Sequence, residues 1–330
     1  MDWFLIFSRA FEAGIGSEAI IYCLAAIGLN VQFGYTGLLN FGQAAFLAVG
    51  AYSIATTVAT FGLPFFLGVG IGLVLSVLLA LLLGIPTLRL RADYLAIVTI
   101  AAAEIVRIIV RSVALKDTFG GTDGLQEFAH SFYALNVFPA GQYSILGGFI
   151  GFDHRGMWVL LVGWVLVALV SVILLFAMKS PWGRVLKAIR EDEDAVRALG
   201  KNVFSYKMQA LVIGGVIGAV AGFIFALSRS SAQPDLYSTE LTFFAYTVLI
   251  LGGAARILGP IVGAALFWFL MIFVKTGLEE AINKQVITFL NVNQVGAIQY
   301  MIIGLGLILL LIFRPQGIFG DKREIALDAR

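Results

Sequence analysis

Charged residues and cysteine are scarce in this 330-residue chain, and both scarcities limit what the protein can be. Only 13% of the residues are charged and 60% are hydrophobic, whereas soluble domains are about 25% charged. The single cysteine, Cys23, excludes a disulfide within the chain. His130 and His154 have no cysteine near them and form no recognisable zinc pattern. The net charge of +2 is too small to indicate nucleic acid as a partner.

Catalytic and nucleotide-binding motifs are missing from the sequence. The nucleotide-binding run Gly-x-x-x-x-Gly-Lys-Ser/Thr does not occur, since Gly200-Lys201 is followed by Asn202. Neither the Gly-x-Ser-x-Gly elbow nor the His-Glu-x-x-His zinc helix is present. We therefore expect a protein that is not an enzyme and binds no cofactor or metal. If ATP drives its action, a separate chain must bind the ATP and Mg²⁺.

Long apolar runs are the main feature that is present. A membrane-crossing helix needs about 20 mostly apolar residues. Candidate segments lie at 17–34, 40–61, 64–86, 93–113, 157–178, 208–228, 240–255, 257–276 and 295–313. They predict an all-α polytopic membrane protein with about 8–10 transmembrane helices, some of them broken, that forms a single transmembrane domain over residues 1–330.

The positive charges of the connecting regions predict the orientation of these helices. Basic residues cluster in a loop at about 179–207 and in the tail 314–330, and Arg89 and Arg91 follow the third segment. The few charged residues between positions 114 and 156 are mainly acidic. Because cytoplasmic loops are enriched in Lys and Arg, we expect 179–207 and the tail in the cytoplasm, 114–156 outside, and, with nine spans, the N-terminus outside.

Glycine and amide side chains interrupt the first apolar region between residues 28 and 43. Four amides lie there: Asn30, Gln32, Asn40 and Gln43. An unsatisfied backbone group in the hydrocarbon core costs several kcal/mol, so broken helices occur where protein surrounds them or where they line a polar cavity. The four amides are candidates either to line a translocation pathway or to hold a broken helix together. A later glycine-rich break, at residues 252–260, is also followed by a helix of small residues, which is the kind of similarity that inverted repeats show.

Two further patterns within the apolar segments are informative. Glu104 and Arg107 are three residues apart, a spacing at which opposite charges pair on one helix face. Intramembrane charges indicate a functional site by default, and a structural ion pair is the alternative. Glycines at 214, 215, 218 and 222 predict a surface on which another helix packs closely.

The loop at 179–207 contains an amphipathic helix. Ser180 and Pro181 suit its start, and Gly200 suits a left-handed residue after its end. Its apolar positions, Val185, Ile189, Val196 and Leu199, recur at helical spacing. Such a helix either rests on lipid head groups or inserts into a groove of a cytoplasmic partner. The acidic run at 191–194 favours a protein partner, because anionic lipid would repel it.

Several motifs, in order along nearly the whole chain, resemble one family. They are residues 28–30 with GYTGLLNFGQAAF (34–46), YLAIVTI (94–100) with AEIVR (103–107), GGTDGL (120–125), SPWGR (180–184) with AIREDEDAVRALG (188–200), GG (252–253), GP (259–260) and RPQG (314–317). The chain resembles the permease subunits of branched-chain amino-acid ABC importers, of the LivM type.

The resemblance implies a bacterial inner-membrane importer that works by alternating access. Its partners would be a second, LivH-like permease, two cytoplasmic LivG- and LivF-like ATPase subunits that hold the ATP and Mg²⁺, and an extracytoplasmic protein that delivers leucine, isoleucine or valine. Asp194-Ala195-Val196 and Gly200 resemble the Glu-Ala-Ala-x-x-x-Gly coupling motif of importers. The residues expected to couple to the ATPases are Arg190, Glu191, Glu193, Asp194, Ala195, Arg197 and Gly200.

Two departures from the family pattern fall in the first broken segment. Gln43 stands where relatives commonly have His, and Asn40 where they often have Ser. Relatives of this family also move urea and short amides, so a urea or short-amide importer is an alternative. Two alternatives belong to other functional classes: a stand-alone channel or secondary transporter, and a membrane scaffold. The helix at 179–207 argues against the first, because a channel or secondary transporter does not need a docking helix.

Overall fold

A computed structural model describes residues 2–88, 92–145, 149–286, 290–314 and 316–320, which are mostly helical. The helices are α1 Trp3–Ile15, α2 Ser17–Leu29, α3 Gln43–Ala55, α4 Phe65–Thr87, α5 Ala92–Arg111, α6 Lys116–Phe119, α7 His130–Ala134, α8 His154–Lys179, α9 Pro181–Glu191, α10 Glu193–Ala198, α11 Val203–Arg229, α12 Thr239–Gly252, α13 Leu258–Asn283 and α14 Val295–Phe313. Single π-turns follow α2 at Asn30–Gly34 and α3 at Thr56–Thr60. Two short antiparallel pairs join β1 Leu125–Gln126 to β4 Ser231–Ala232 and β2 Gln142–Ile145 to β3 Ile150–Asp153.

Every predicted apolar segment corresponds to a helix. In the described ranges, seven helical stretches are long and apolar enough to cross a membrane, and the first of them runs from Trp3 to Gly34. Of the remaining two predicted segments, α12 has only 14 residues and α5 carries four charged residues. The architecture confirms the prediction of an all-α polytopic membrane protein.

The centre of the bundle is formed by α2, α3 and α11, which pack closely through glycine. A Cβ added to Gly214 of α11 would lie 2.5 Å from the Gly28 carbonyl oxygen of α2. A Cβ at Gly222 would overlap the Leu47 carbonyl oxygen of α3. The predicted packing surface of α11 is thus confirmed. The outer helices instead expose large apolar side chains such as Leu82 and Phe176, as expected beside lipid tails.

The bundle has two distinct ends, which we call the α9 end and the strand end. Helices α9 and α10 precede α11, whereas β4 follows it and pairs with β1. A 27-residue helix is about 40 Å long, so the basic loop 179–207 and the acidic region 114–156 lie on opposite sides of a membrane-sized structure.

Some residues of the predicted charge pattern and motifs lie outside the described residues. They are Arg89, Arg91, Pro315, Lys322, Arg323 and Arg330.

The loop helix differs from its prediction at Asp192 and at Ser180. It is broken at Asp192, whose extended backbone (φ −154°) starts α10 and whose carboxylate accepts the amide N–H groups of Asp194 and Ala195. This local cap competes with a continuous helix. Ser180 precedes α9, but its hydroxyl donates to the Ala177 carbonyl instead of capping α9. Gly200, at φ +77°, has the predicted left-handed conformation.

The predicted apolar side chains of the loop do not all face the bundle. Ile189, Val196 and Val203 form a small buried cluster, against which Val185 packs. Leu199, predicted on the same face, is 79% exposed. The apolar face of α10 is therefore divided between the bundle and solvent.

Candidate functional site

The first glycine-rich segment is a break between two half-helices. After the π-turn at Asn30–Gly34, residues 37–42 are not helical and α3 begins only at Gln43, three residues later than the predicted span. Gly37 has φ +73°, and a Cβ at Gly34 would overlap the Asn30 side-chain oxygen and lie 2.7 Å from the Ala255 nitrogen. Glycine is needed at Gly34 because another part of the backbone approaches it closely.

Asn30 joins this break to the second one, between α12 and α13. Its amide nitrogen donates to the Arg256 carbonyl oxygen at 2.8 Å, and its oxygen accepts from the Ala255 amide N–H, also at 2.8 Å. Gly253 and Ala255 both have positive φ angles, of 106° and 59°. The two glycine-rich breaks that the sequence relates as possible inverted repeats thus meet at one buried asparagine.

Gln32 and Asn40 form a second link inside the first break. The Asn40 amide nitrogen donates to the Gln32 side-chain oxygen at 2.8 Å. Gln32 donates in turn to the Leu211 carbonyl oxygen of α11 at 3.1 Å. The Tyr246 hydroxyl donates to the Asn40 carbonyl oxygen at 2.9 Å. These bonds hold the non-helical segment between α11 and α12.

Gln43 is the fourth amide, at the start of α3. Its amide nitrogen donates to the Gly214 carbonyl oxygen at 3.1 Å. Its side-chain oxygen is buried and has no partner in the described part of the chain, at a cost of about 1–3 kcal/mol. All four amides are at most 3% exposed. Their described contacts are with the chain itself, and contact with a transported solute stays a prediction.

Helix α9 lies directly on the first break. The Arg190 guanidinium donates to the Gly34 carbonyl oxygen at 2.6 Å. The Lys187 ammonium lies 5.7 Å from the centre of the Tyr35 ring, within the range of a cation–π contact. Helix α9 is therefore in direct contact with the segment that follows α2.

Helix α10 is tied to the bundle on one side and open on the other. The Glu193 carboxylate pairs with Lys207 of α11 and, at 2.8 Å, with Arg197. Asp194 pairs with Arg197 at 2.7 Å. Between residues 191 and 200, every residue except Glu193 and Val196 is exposed, which includes Asp194, Ala195 and Leu199.

Glu104 and Arg107 form an ion pair on α5, and Asp235 extends this pair into a cluster. Arg107 contacts Glu104 at 2.5 Å and Asp235 at 2.7 Å, and Arg111 lies 3.3 Å from Asp235. Asp235 precedes α12, and the 14 residues of α12, about 21 Å, separate this cluster from the junction at Asn30. Sequence analysis missed Asp235, and its only signal in the sequence was a carboxylate just before a predicted span.

The strand end has a polar cavity of about 520 Å³. Tyr133, Arg155 and Arg229 line it, and burial raises the pKa of Tyr133 above its usual range. Glu127 and Ser230, also in the lining, have positive φ angles of 61° and 50°. In the described residues, His, Cys, Asp and Glu do not group in a way that could hold a metal ion.

Comparison with known proteins finds the same family that the sequence motifs resemble. The family of permease components of branched-chain amino acid transport systems matches residues 13–311. The LivM permease proteins of the high-affinity branched-chain amino acid transport systems of Salmonella typhimurium and Escherichia coli are each 29% identical to this chain, over 97% of it and 72% of their own length. A probable LivM of Methanocaldococcus jannaschii is 27% identical over 92% of this chain and 91% of its own.

A second type of permease is also related. The LivH permease protein of the Salmonella typhimurium system is 25% identical over 97% of both chains, so this chain resembles both permeases of a transport system built from several subunits. No solved structure matches. The resemblance inferred from the motifs is confirmed: the chain belongs to the family of permease components of branched-chain amino acid transport systems, as a multi-pass protein of the bacterial inner membrane.

Proposed function

We propose that this protein is the permease subunit of an ATP-driven importer that moves leucine, isoleucine, valine or related hydrophobic amino acids into the cell by alternating access. The family match and the LivM relatives support the substrate class. The observation that carries the mechanism is the hydrogen bond between Arg190 and Gly34, because it joins the loop helix to the broken membrane segment.

In this proposal, the exposed surface of α10 binds an ATPase subunit. The exposed Leu199, beside Ala195, provides an apolar contact, and the carboxylate of Asp194 provides a charged one. The amphipathic pair α9–α10 is then a helix-in-groove element. ATP and Mg²⁺ are held by the ATPase subunits, and this chain performs no chemistry itself.

Closure of the ATPases would move α10 and α9 together. The Glu193–Lys207 pair transmits the displacement to α11, and Arg190 transmits it to Gly34. Asn30 carries it onward to the α12–α13 turn. In many transporters, broken helices form the site, and access changes when one bundle of helices rocks against the other around it.

The remaining partners have suitable surfaces in this proposal. Helix α5 exposes an apolar row that includes Ile97, Ile105 and Ile108, and a second, LivH-like permease would cover it. The polar cavity at the strand end faces the side on which an extracytoplasmic binding protein would dock. Both partner assignments rest on surface chemistry and on the predicted orientation.

The test is transport by the reconstituted complex. Proteoliposomes that contain this chain, a LivH-like permease, both ATPases and the binding protein should accumulate labelled leucine only with ATP, and excess urea should not compete. ATP hydrolysis without uptake of any branched-chain amino acid, or competition by urea, would refute the substrate assignment. Uptake by the purified chain alone would instead show a channel or secondary transporter.

A further inference from the structure

A second cavity, of about 380 Å³, lies at the α9 end. It is bounded by the last residues of α8, by α9 and by the turn between α12 and α13. Lys179 is contributed by α8, Lys187 by α9 and Arg256 by the turn. The cavity adjoins the amide junction, because Ala255 and Arg256 belong to both, and it is separate from the Glu104 cluster.

The lining is cationic. Three positively charged side chains line the cavity, and none of the described lining residues is acidic. Helix α13 begins beside it, and Ile257, its N-cap residue, has no side chain able to cap the first amide groups. The positive end of the α13 dipole therefore adds to the field of Lys179 and Lys187. A phosphate group is the anion that such a combination favours.

The surroundings of the cavity are those of a membrane surface. Leu175 and Leu258 also line it, and Leu258 is 59% exposed. Along α8, the neighbouring side chains Val172, Ile173 and Phe176 are 52–68% exposed. Because α8 and α13 are long and apolar enough to cross a membrane, these exposed apolar side chains provide a surface for acyl chains next to the cationic lining.

We propose that this cavity binds the head group of an anionic phospholipid, with its acyl chains along the exposed face of α8. Basic pockets between transmembrane helices at a cytoplasmic surface have the chemistry to bind such head groups. Free phosphate would use the cations but not the apolar side chains of α8. The acidic residues of α10 do not oppose this binding, since they are absent from the lining and Glu193 and Asp194 pair with basic residues.

Occupancy would connect parts of the molecule that transport moves. Lys187 lies on α9, three residues before Arg190, which contacts the first break. The Arg256 carbonyl accepts a hydrogen bond from Asn30 in the same break. A bound head group would therefore hold α9 against the α12–α13 turn. Anionic lipid would in this way stabilise the contact between α9 and the bundle.

The test measures lipid binding to the purified full-length chain by native mass spectrometry. Phosphatidylglycerol is titrated against phosphatidylcholine with the same acyl chains. The variant Lys179→Gln/Lys187→Gln should weaken retention of phosphatidylglycerol by about 30-fold, since each cation at a membrane surface contributes about a factor of five. Lys179→Arg/Lys187→Arg should retain it. The matched control is Arg184→Gln/Lys201→Gln, which removes two exposed positive charges from the same end but outside the lining.

Four results would overturn the proposal. Equal losses in the Gln variant and in the control would show general attraction to a basic surface. Equal retention of phosphatidylcholine would remove the need for an anionic head group. Displacement by inorganic phosphate at equal head-group concentration would identify a free anion as the ligand. Unchanged lipid binding together with weaker ATPase co-purification by the Gln variant would assign the cavity to an acidic group of a protein partner.

Discussion

The guanidinium group of Arg190 donates a hydrogen bond to the carbonyl oxygen of Gly34 across 2.6 Å. Arg190 lies in the loop helix α9, and Gly34 is the last residue of the π-turn after α2. The bond therefore joins an element outside the predicted spans to the interior of the bundle. Since a helix break frees backbone carbonyls that need partners, the same bond stabilises the break and connects it to α9.

Removing this bond should uncouple ATP hydrolysis from transport. A hydrogen bond to a charged group contributes about 1.5–3 kcal/mol, so Arg190→Ala should lower uptake per ATP hydrolysed by about tenfold or more. The measurement is leucine uptake and phosphate release in the same proteoliposomes. Arg184→Ala, an exposed arginine on the same helix, is the control. An unchanged ratio in Arg190→Ala would show that α9 does not act through Gly34.

Glycine at position 34 should be required for stability. A methyl group there would overlap the Asn30 side chain, which bonds the second break. We expect Gly34→Ala to cost about 1–3 kcal/mol, as overpacking does, and to lower the unfolding temperature of the purified protein in detergent. Gly304→Ala is the matched control, because no atom lies within 4 Å of its added Cβ. If both variants unfold at the wild-type temperature, the contact is not as close as the structure has it.

Exchanging Glu104 and Arg107 should not restore function. In the double exchange, a glutamate at position 107 would face Asp235, which now lies 2.7 Å from Arg107. Like charges at this distance repel. We expect Glu104→Arg/Arg107→Glu to show low uptake and its combination with Asp235→Asn to recover part of it. Full recovery in the double exchange would show that the Asp235 contact contributes little.

The contact between Glu193 and Lys207 should behave as a replaceable ion pair. Glu193→Lys places two positive charges together and should detach α10 from α11, which lowers uptake without preventing membrane insertion. Glu193→Lys/Lys207→Glu restores opposite charges and should recover uptake. Lys201→Glu, at an exposed position of the same loop, is a control for charge reversal. Failure of the double reversal to exceed Glu193→Lys would argue against a direct pair.

Leu199 should contribute to ATPase binding and not to folding. Its side chain is 79% exposed, so Leu199→Asp should leave the unfolding temperature of the isolated chain unchanged. Co-purification with the ATPase subunits should fall, since an apolar contact in a groove is lost. Val196→Asp, at a buried position of the same helix, should instead destabilise the chain itself. Normal co-purification of Leu199→Asp would place the ATPase contact elsewhere.

Periodicity and composition predicted the nine apolar segments, the broken region near Gly34 and the amphipathic loop, because each depends on neighbouring residues. The loop shows where this reasoning ends. Helical spacing placed Val196 and Leu199 on one face, yet α10 ends at Ala198, and Leu199, its C-cap residue, is exposed. The break before α10 was also missed, because periodicity does not register the competing local hydrogen bonds of Asp192.

The sequence by itself determined that this chain spans the membrane several times, where its helices break and which family it resembles. Only the tertiary structure decided what the buried amides contact. Asn30 bonds the backbone of Ala255 and Arg256, and Arg107 bonds Asp235. Every residue but proline carries the same backbone N–H and C=O groups, so no pattern in the sequence marks Ala255 as the partner of Asn30. That choice follows from how α2, α12 and α9 pack together.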